Sequence, residues 1–516
     1  MARDSAQGSD RNVLGLTESP EVLTSGAWLE TIFGSLGTRP PRLLIGNEWV
    51  EAQSGRVGET FDPSTGKKLG EYAIGDASDV DRAVTAAKQA APAWAALSLD
   101  QRAAHLSALR ERILANRNLF ATLDAVNAGL SVEAMHADIE SILRVLVAWP
   151  ALASGLRGEV LHDGKPGLHF TRYSPFGVVA RIVAYNHPIL FAVKGSLAAL
   201  LAGNCIVLKP AEQAPFSALV LGDLIREVFP PGVFNIVTGD AKAGEAMVTH
   251  PDIRRIAFTG SIRTGRMIQE AAARDRVRTV SLELGGKNAM IVFPDVSIPT
   301  VARDVVFGMN LRANGGQSCG STSRVFVHKD IHDEFVSELT RAMAELKLGP
   351  AYHSDIDMGP VISDAAAQRI RRHIQGAIDQ GATLATGGLD DARLPAEGNF
   401  VAPTLFTDVP ADSTLASEEI FGPVVALTKW DDYESMMRIV NGLDYGLTAS
   451  VWTNDITTAL TTAERVEAGY VWINQSTTHY FGMPFGGWKD SGIGREECLD
   501  EFKSFLQVKS VHVKLP

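Results

Sequence analysis

From residue 178 the sequence alternates between two hydrophobic periods. VVARIVAY (178–185) is a continuous apolar run of strand length, HPILFAVKGSLAALLAG (187–203) repeats at helical spacing, and CIVLKP (205–210) is a second strand-length run. The alternation continues through a helix near 217–228, the strand Val233–Val237, another helix, and the strand Arg255–Phe258 ending in a glycine-containing turn. Strands that are apolar on both faces and separated by helices predict a parallel sheet covered on both sides, the α/β arrangement. After Glu283 the run Ala289–Phe293 opens a second series through Val325–Val327 and Val424–Leu427 that ends near Trp472, so a second α/β domain is expected.

The segment before 178 follows different rules. Residues 1–40 are polar and rich in Ser and Gly, with one short amphipathic helix expected around Ala27–Leu29, Ile32 and Phe33. From Arg42 the turn residues predict hairpins, and Ala-rich helices follow from Asp79 to about Leu152, with Asp79 and Asp100 as N-caps. The last segment, SFLQVKSVHVKL (504–515), alternates like a strand and can pair with another element or another subunit.

A chain of 516 residues predicts about three structural units. Lys plus Arg total 48 against 60 Asp plus Glu, a net charge of −12, which excludes a general electrostatic grip on nucleic acid or anionic lipid. The longest apolar stretch, 176–203, is broken by Arg181, Asn186, His187, Pro188 and Lys194, which argues against a membrane span. No signal-peptide-like apolar run opens the sequence, and the three cysteines are too few and too scattered for a disulfide framework. A cytoplasmic location is expected, and neither C-x-x-C nor H-E-x-x-H spacing points to a metal.

Four polar groups sit where apolar runs end, the place where an open α/β sheet presents ligands. Phe258-Thr259-Gly260-Ser261 with Gly265 is a strand-to-helix turn at which backbone can approach a phosphate, although such a turn also occurs without a ligand. Lys209-Pro210-Ala211-Glu212 supplies a cation and a carboxylate suited to the hydroxyls of an adenosine ribose. A carboxylate there repels a 2′-phosphate and favours NAD over NADP.

Gly315-Gly316-Gln317-Ser318-Cys319-Gly320 holds one cysteine among small residues, which leaves its sulfur accessible and surrounds it with N–H groups that favour a thiolate and a nearby oxyanion. Cys205 and Cys498 read as apolar filler. The same loop contains G-x-S-x-G around Ser318, so a serine hydrolase is an alternative of another class. That motif needs a strand before it and a helix after it, the reverse of what this sequence predicts. Finally, Glu283 stands among leucines before Gly285-Gly286, where burial raises a carboxyl group toward a useful general base.

Tyr185-Asn186-His187-Pro188, KPAE, FTGS with Gly265, LELGGK, GGQSC, EEIFGPV (418–424) and PFGGWKDSGIGRE (484–496) together resemble the aldehyde dehydrogenase superfamily. The motifs stand in the family's order and span residues 40 to 516. The resemblance implies two doubly wound parallel-sheet domains and a small β element for oligomerisation. The first is a Rossmann-like dinucleotide-binding domain (41–154 and 174–284) and the second a catalytic domain (285–500). The oligomerisation element would combine 155–173 with 501–516, and residues 1–40 would be an extension.

By the same resemblance Cys319 is the nucleophile, Asn186 and the Cys319 N–H hold the oxyanion, and Glu283 activates the water that releases a carboxylic acid. Lys209, Glu212, Gly260, Ser261 and Gly265 bind NAD, Glu419 its nicotinamide ribose, and Phe421 packs beside the ring. A homodimer or homotetramer is implied.

His187, Leu190, Phe191 and Lys194 share a helix face with Asn186 and are expected to line a substrate tunnel. The resemblance adds Tyr185, the loop Gln475–Met483 with His479, Tyr480 and Phe481, and Phe485. These aromatics suggest a hydrophobic or aromatic aldehyde, and the absence of Asp and Glu from that loop disfavours a cationic one. Lys194 opens a second possibility, a semialdehyde whose distal carboxylate it captures. The family more often has its helix lysine one position later, where this chain has Gly195. A non-catalytic binding protein would need none of Cys319, Glu283 and Asn186.

Overall fold

The computed structural model describes residues 41–162 and 167–514; the short helix expected near 27–33 lies outside them. Two hairpins come first, β1 (Leu43–Ile45) with β2 (Glu48–Val50) and β3 (Val57–Phe61) with β4 (Lys68–Ala73). Four helices follow: α1 (Ala77–Ala96), α2 (Leu99–Ala115), α3 (Arg117–Ala128) and α4 (Val132–Ala153). The caps lie three and two residues before the expected Asp79 and Asp100. Asp76 caps α1 in a capping box with Asp79 at the third helical position, and Ser98 caps α2 with Gln101. Each box satisfies a backbone donor at both of its ends, which the expected Asp79 and Asp100 caps do not. Val80, Ala83, Val84, Ala87, Ala91 and Trp94 form the buried stripe of α1.

A short strand, β5 (Val160–Leu161), and the long β6 (Gly167–Pro175) lead into the alternating region. There the order is β7 (Val178–Ile182), α5 (Pro188–Leu201), β8 (Cys205–Lys209), α6 (Phe216–Val228), β9 (Phe234–Ile236), α7 (Ala241–Thr249), β10 (Arg255–Thr259), α8 (Ile262–Ala273) and β11 (Thr279–Glu283). Every residue of β7, β8, β9 and β10 is buried, as continuous apolar runs require of strands covered on both faces. The core five strands run parallel in the order β9-β8-β7-β10-β11. The order reverses between β7 and β10, which opens a crevice at their carboxyl ends.

The second series begins with β12 (Ala289–Val292), α9 (Ile298–Gly308), α10 (Leu311–Asn314) and β13 (Arg324–His328). It continues through β14 (Thr383–Thr386), β15 (Thr404–Thr407), β16 (Val424–Trp430), β17 (Tyr445–Gly446), β18 (Thr448–Trp452) and β19 (Tyr470–Ile473). The second sheet has the order β14-β15-β16-β13-β12-β18-β19 and is parallel except at β14.

The chain then returns to the first sheet. After β20 (Trp488–Lys489), β21 (Gly492–Ile493) pairs antiparallel with β11 and places Gly492 opposite Glu283. Residues assigned by sequence to the second domain therefore complete the first sheet. The helix α11 (Leu499–Ser504) follows, and β22 (Leu506–Lys514) pairs along the whole of β6, making a three-stranded sheet with β5. Among the described residues no helix is long and apolar enough to cross a membrane.

Candidate active site

A cavity of about 520 Å³ opens at the reversal point of the first sheet. Its rim comes from the ends of three strands: Ile182–Tyr185 after β7, Lys209 and Ala211–Gln213 at and after β8, and Phe258–Ser261 at the end of β10. Gly244, Val248, Ile268 and Ala271 from α7 and α8 wall it with small or apolar side chains. Such a slot accepts a flat aromatic base, while Lys209 and Glu212 at the rim offer the donor and acceptor that a ribose needs. Lys209 is buried, and burial pushes its ammonium below its ordinary pKa against the opposing pull of Glu212 and Asp240. Among the described residues its Nζ reaches only the Pro210 carbonyl, at 3.4 Å, so it retains donors for a ligand.

Ser261 caps α8 through the Thr264 N–H, leaving the helix N-terminus facing the cavity. Gly265 lies one turn in, where a Cβ would strike the Leu284 side chain, so its role is close packing of helix on sheet. Cavity and residues thus suit a dinucleotide, with Lys209, Glu212, Gly260 and Ser261 at the cavity and Gly265 behind it.

The Cys319 loop runs from α10 to β13 over two consecutive left-handed glycines, Gly315 (φ 60°) and Gly316 (φ 76°). A Cβ on Gly316 would collide with the Gly422 carbonyl, and one on Gly286 with the Cys319 carbonyl, so the 285–287, 316–319 and 419–422 segments close on one another only because these positions are glycine. Asn288 fastens the loop, donating to the carbonyls of Cys319 (2.7 Å) and Ser321 (2.9 Å). A helix precedes Ser318 and a strand follows, so the nucleophile-elbow context of a serine hydrolase is absent, and the Ser318 hydroxyl instead accepts the Gly320 N–H.

Cys319 is half-buried, and its environment differs from the expected thiolate-stabilising loop. Burial, then the charges of Glu419 and Glu283, push the thiol up to about 12, against the lowering effect of the Cys319 and Gly320 N–H groups. Glu419 and Glu283 are thus the two carboxylates whose charge bears on the sulfur. Glu419 accepts the Gly286 N–H at 3.0 Å and is raised to about 7 by burial. Glu283 is buried, neither of its oxygens has a hydrogen-bond partner, and burial together with Glu496 holds it well above the ordinary carboxylate range. Phe421 adopts a left-handed backbone (φ 52°), an uncommon conformation for a non-glycine residue, and its ring meets the edge of Tyr185 at 6.0 Å.

Asn186 stands in the short link between β7 and α5. The helix cap is His187, not Asn186, so the Asn186 side chain is not spent on capping α5. Its neighbours tie it to the cysteine side of the cleft: Tyr185 packs on Phe421, and the His187 Nε2 lies 3.4 Å from the Asn314 amide.

His187, Leu190, Phe191 and Lys194 are the partly exposed positions along an otherwise buried stretch of α5, as the helical spacing predicts. His187 Nδ1 pairs with Asp138 at 2.7 Å and its ring meets Phe191 edge-on at 5.5 Å. From the opposite side, His479 meets Phe485 in a tilted arrangement at 4.5 Å, Phe481 packs edge-on against Trp149, and the exposed Tyr480 donates to Gln475. The residue that joins the two sides is one that sequence reasoning missed. Glu497 receives Lys194 Nζ at 2.5 Å and His479 Nδ1 at 2.9 Å, bringing a carboxylate to a loop that has none of its own. Nothing in local pattern marks it, because its partners are 303 and 18 residues away.

Comparison with known proteins follows the same lines. The model for the aldehyde dehydrogenase family matches residues 49–511. Aldehyde dehydrogenase tropH of Talaromyces stipitatus is 42% identical over 481 residues, covering 92% of this chain and 93% of that protein. The NAD+ complex of an aldehyde dehydrogenase from Bacillus cereus superposes with a TM-score of 0.91 at 35% identity, covering 97% of this chain and all of that one. An NADP-dependent enzyme of E. coli superposes at 0.88 with 32% identity, covering 92% and 98%.

Proposed function

The chain belongs to the aldehyde dehydrogenase family and oxidises an aldehyde with a nicotinamide dinucleotide, and from that premise we propose the residues and the course of the reaction. The Cys319 sulfur, as thiolate, adds to the aldehyde carbonyl carbon and a thiohemiacetal forms. The Asn186 amide and the Cys319 N–H donate to the resulting oxyanion, a preorganised stabilisation that usually contributes most to catalysis. NAD, when bound, supplies the acceptor for the hydride that leaves this carbon.

The thioester left on Cys319 is then hydrolysed. Glu283 takes a proton from water, the hydroxyl adds to the acyl carbon, and the carbon–sulfur bond breaks to release a carboxylic acid and the thiolate. A carboxyl group buried without a partner suits this task, since its raised pKa makes it a stronger base than an exposed one. Lys209 and Glu212 bind the adenosine ribose, Ser261 and Gly260 the pyrophosphate, and Glu419 the second ribose. The Glu212 carboxylate favours NAD over NADP.

The observation that carries this reading is that the only one of the three cysteines that is not fully buried sits in a glycine-closed loop against Gly286, whose N–H holds Glu419, with the charges of Glu419 and Glu283 bearing on its sulfur. A neutral hydrophobic or aromatic aldehyde is the substrate class we infer. The Phe191, His479, Phe485 and Tyr480 rings supply apolar surface, and Lys194, the one cation on the α5 face, is already neutralised by Glu497. The three-stranded sheet supports a homodimer or homotetramer, since exposed Val160, Leu161, Leu168 and Val508 give it an apolar surface of the kind a second copy covers. A panel of aldehydes mixed with NAD and protein should yield NADH absorbance that Cys319→Ala abolishes. Ester turnover lost in Ser318→Ala but kept in Cys319→Ala would overturn the assignment.

A further inference from the structure

Arg181 belongs to a buried ionic layer that the catalytic outline above does not use. In the parallel register Arg181 lies opposite Ala257, which lies opposite Ser281; Thr259 and Glu283 form the next row of the same face. Side chains two residues apart on a strand share a face, so Arg181 and Glu283 project to the same side of the sheet. The helix α5 covers that side. A Cβ on Gly195 would overlap the Arg181 guanidinium, so glycine here leaves the space into which arginine reaches from the strand.

The guanidinium is 2% exposed and held at two points. Nη1 donates to Glu496 Oε1 at 3.0 Å and Nη2 to Thr259 Oγ1 at 3.2 Å, while Nε has no partner. Glu496 belongs to the segment that crosses back over the sheet beside β21, and Thr259 is the in-register neighbour of Glu283. Thr259 therefore lies beside the base in the sheet and the Glu496 charge acts on it, while the oxygens of the base have no partner among the described residues. The charged groups that act on Glu283 are Arg181 from β7, Glu496 and Arg495 from the returning segment and Glu501 from α11, and the Cys319 thiol in turn feels the Glu283 charge.

We propose that Arg181 is the positioning residue for the general base: its guanidinium, seated in the space left by Gly195, fixes Glu496 and sets the charge balance around Glu283. This rests on the assignment of Glu283 as the water activator. A guanidinium does not release its proton in proteins, so Arg181 acts as a fixed charge and not as a proton carrier. Glu496 acts in the opposite sense. Burial and the Glu496 charge raise Glu283, while Arg495 and Arg181 lower it, so the two members of the pair bias the base in opposite directions.

The test follows the decay of the acyl thioester on Cys319 against pH, by acid quench and intact-protein mass spectrometry after a single turnover with NAD and a limiting aldehyde. Arg181→Met should move the ascending limb of the decay rate to higher pH by about one unit, and Glu496→Gln should move it to lower pH by a similar amount. Arg181→Lys, which keeps the charge, should stay within about half a unit of the parent. The rate of thioester formation should change less than twofold in all three. A limb that stays in place in Arg181→Met overturns the proposal, as does a shift of the same sign in Arg181→Met and Glu496→Gln. Should Arg181→Met fail to fold, Arg181→Gln takes its place, and an unmoved limb there overturns the proposal. Glu283→Gln separates the two levels. If the thioester decays in that variant as in the parent, the assignment of the base itself falls; if decay stops while the other limbs stay fixed, only the role of Arg181 falls.

Discussion

Glu497 is the joint between α5 and the aromatic loop, and its removal has a calculable consequence. Its side chain is 8% exposed, its backbone is left-handed (φ 66°), and its carboxylate is shared by Lys194 and His479. Burial alone would raise its pKa, but the His479 hydrogen bond and the Lys194 charge outweigh burial and bring it from 4.5 down to about 2. Holding the carboxylate that far below its ordinary value contributes about 3 kcal/mol of stability. Because the folded-state value is depressed, this contribution is complete above the unfolded-state value near 4.5 and is lost as pH falls toward 2.

Glu497→Gln should therefore lower stability at pH 7 by about 3 kcal/mol, read from urea midpoints, and its gap from the parent should narrow as pH falls below about 4.5. The variant also releases Lys194. A freed ammonium meeting a substrate carboxylate contributes about 1.5 kcal/mol or more, so kcat/KM for ω-carboxy aldehydes should rise about tenfold relative to neutral aldehydes of the same size. Equal midpoints at pH 7, or an unchanged ratio of the two substrate classes, would refute the reasoning.

Other outcomes test separate parts of the account. Glu212→Ala should narrow the preference for NAD over NADP by tenfold or more, measured as the ratio of kcat/KM for the two cofactors. Gly195→Ala forces a methyl group against the Arg181 guanidinium and should cost about 1–3 kcal/mol in chemical denaturation, whereas the same change at the open Gly376 costs nothing of that size. Glu419→Gln removes one of the two charges that raise the Cys319 thiol, so alkylation of the cofactor-free protein at pH 8 should be faster than in the parent.

The strands of the first sheet were legible because continuous apolar runs of five residues bounded by turns admit few other readings, and β7 through β10 are buried throughout. The positions of the site groups were legible for the same reason: Lys209, Gly260 and Glu283 stand at strand ends, where period and turn chemistry change together. Helix caps were misplaced because Asp79 is attractive in isolation, and only the pairing Asp76-x-x-Asp79 identifies the earlier residue. The ionic pairs were not legible. Arg181 meets Glu496 across 315 residues and Lys194 meets Glu497 across 303, so no local pattern forecasts either. Gly195 reads only as a departure from the lysine that the resemblance would place there, until the arginine it accommodates is seen. The elevated Cys319 thiol escaped notice because small neighbours in sequence say nothing about two carboxylates delivered by other segments.

The central claim is that Cys319 carries the acyl group and Glu283 opens the way for water to remove it. Glu283→Gln incubated with NAD and an aromatic aldehyde, quenched in acid and digested, tests it most directly. The account predicts one equivalent of NADH followed by a stall, with the acyl mass on the peptide bearing Cys319. Sustained turnover, or the acyl group on Ser318, would contradict it.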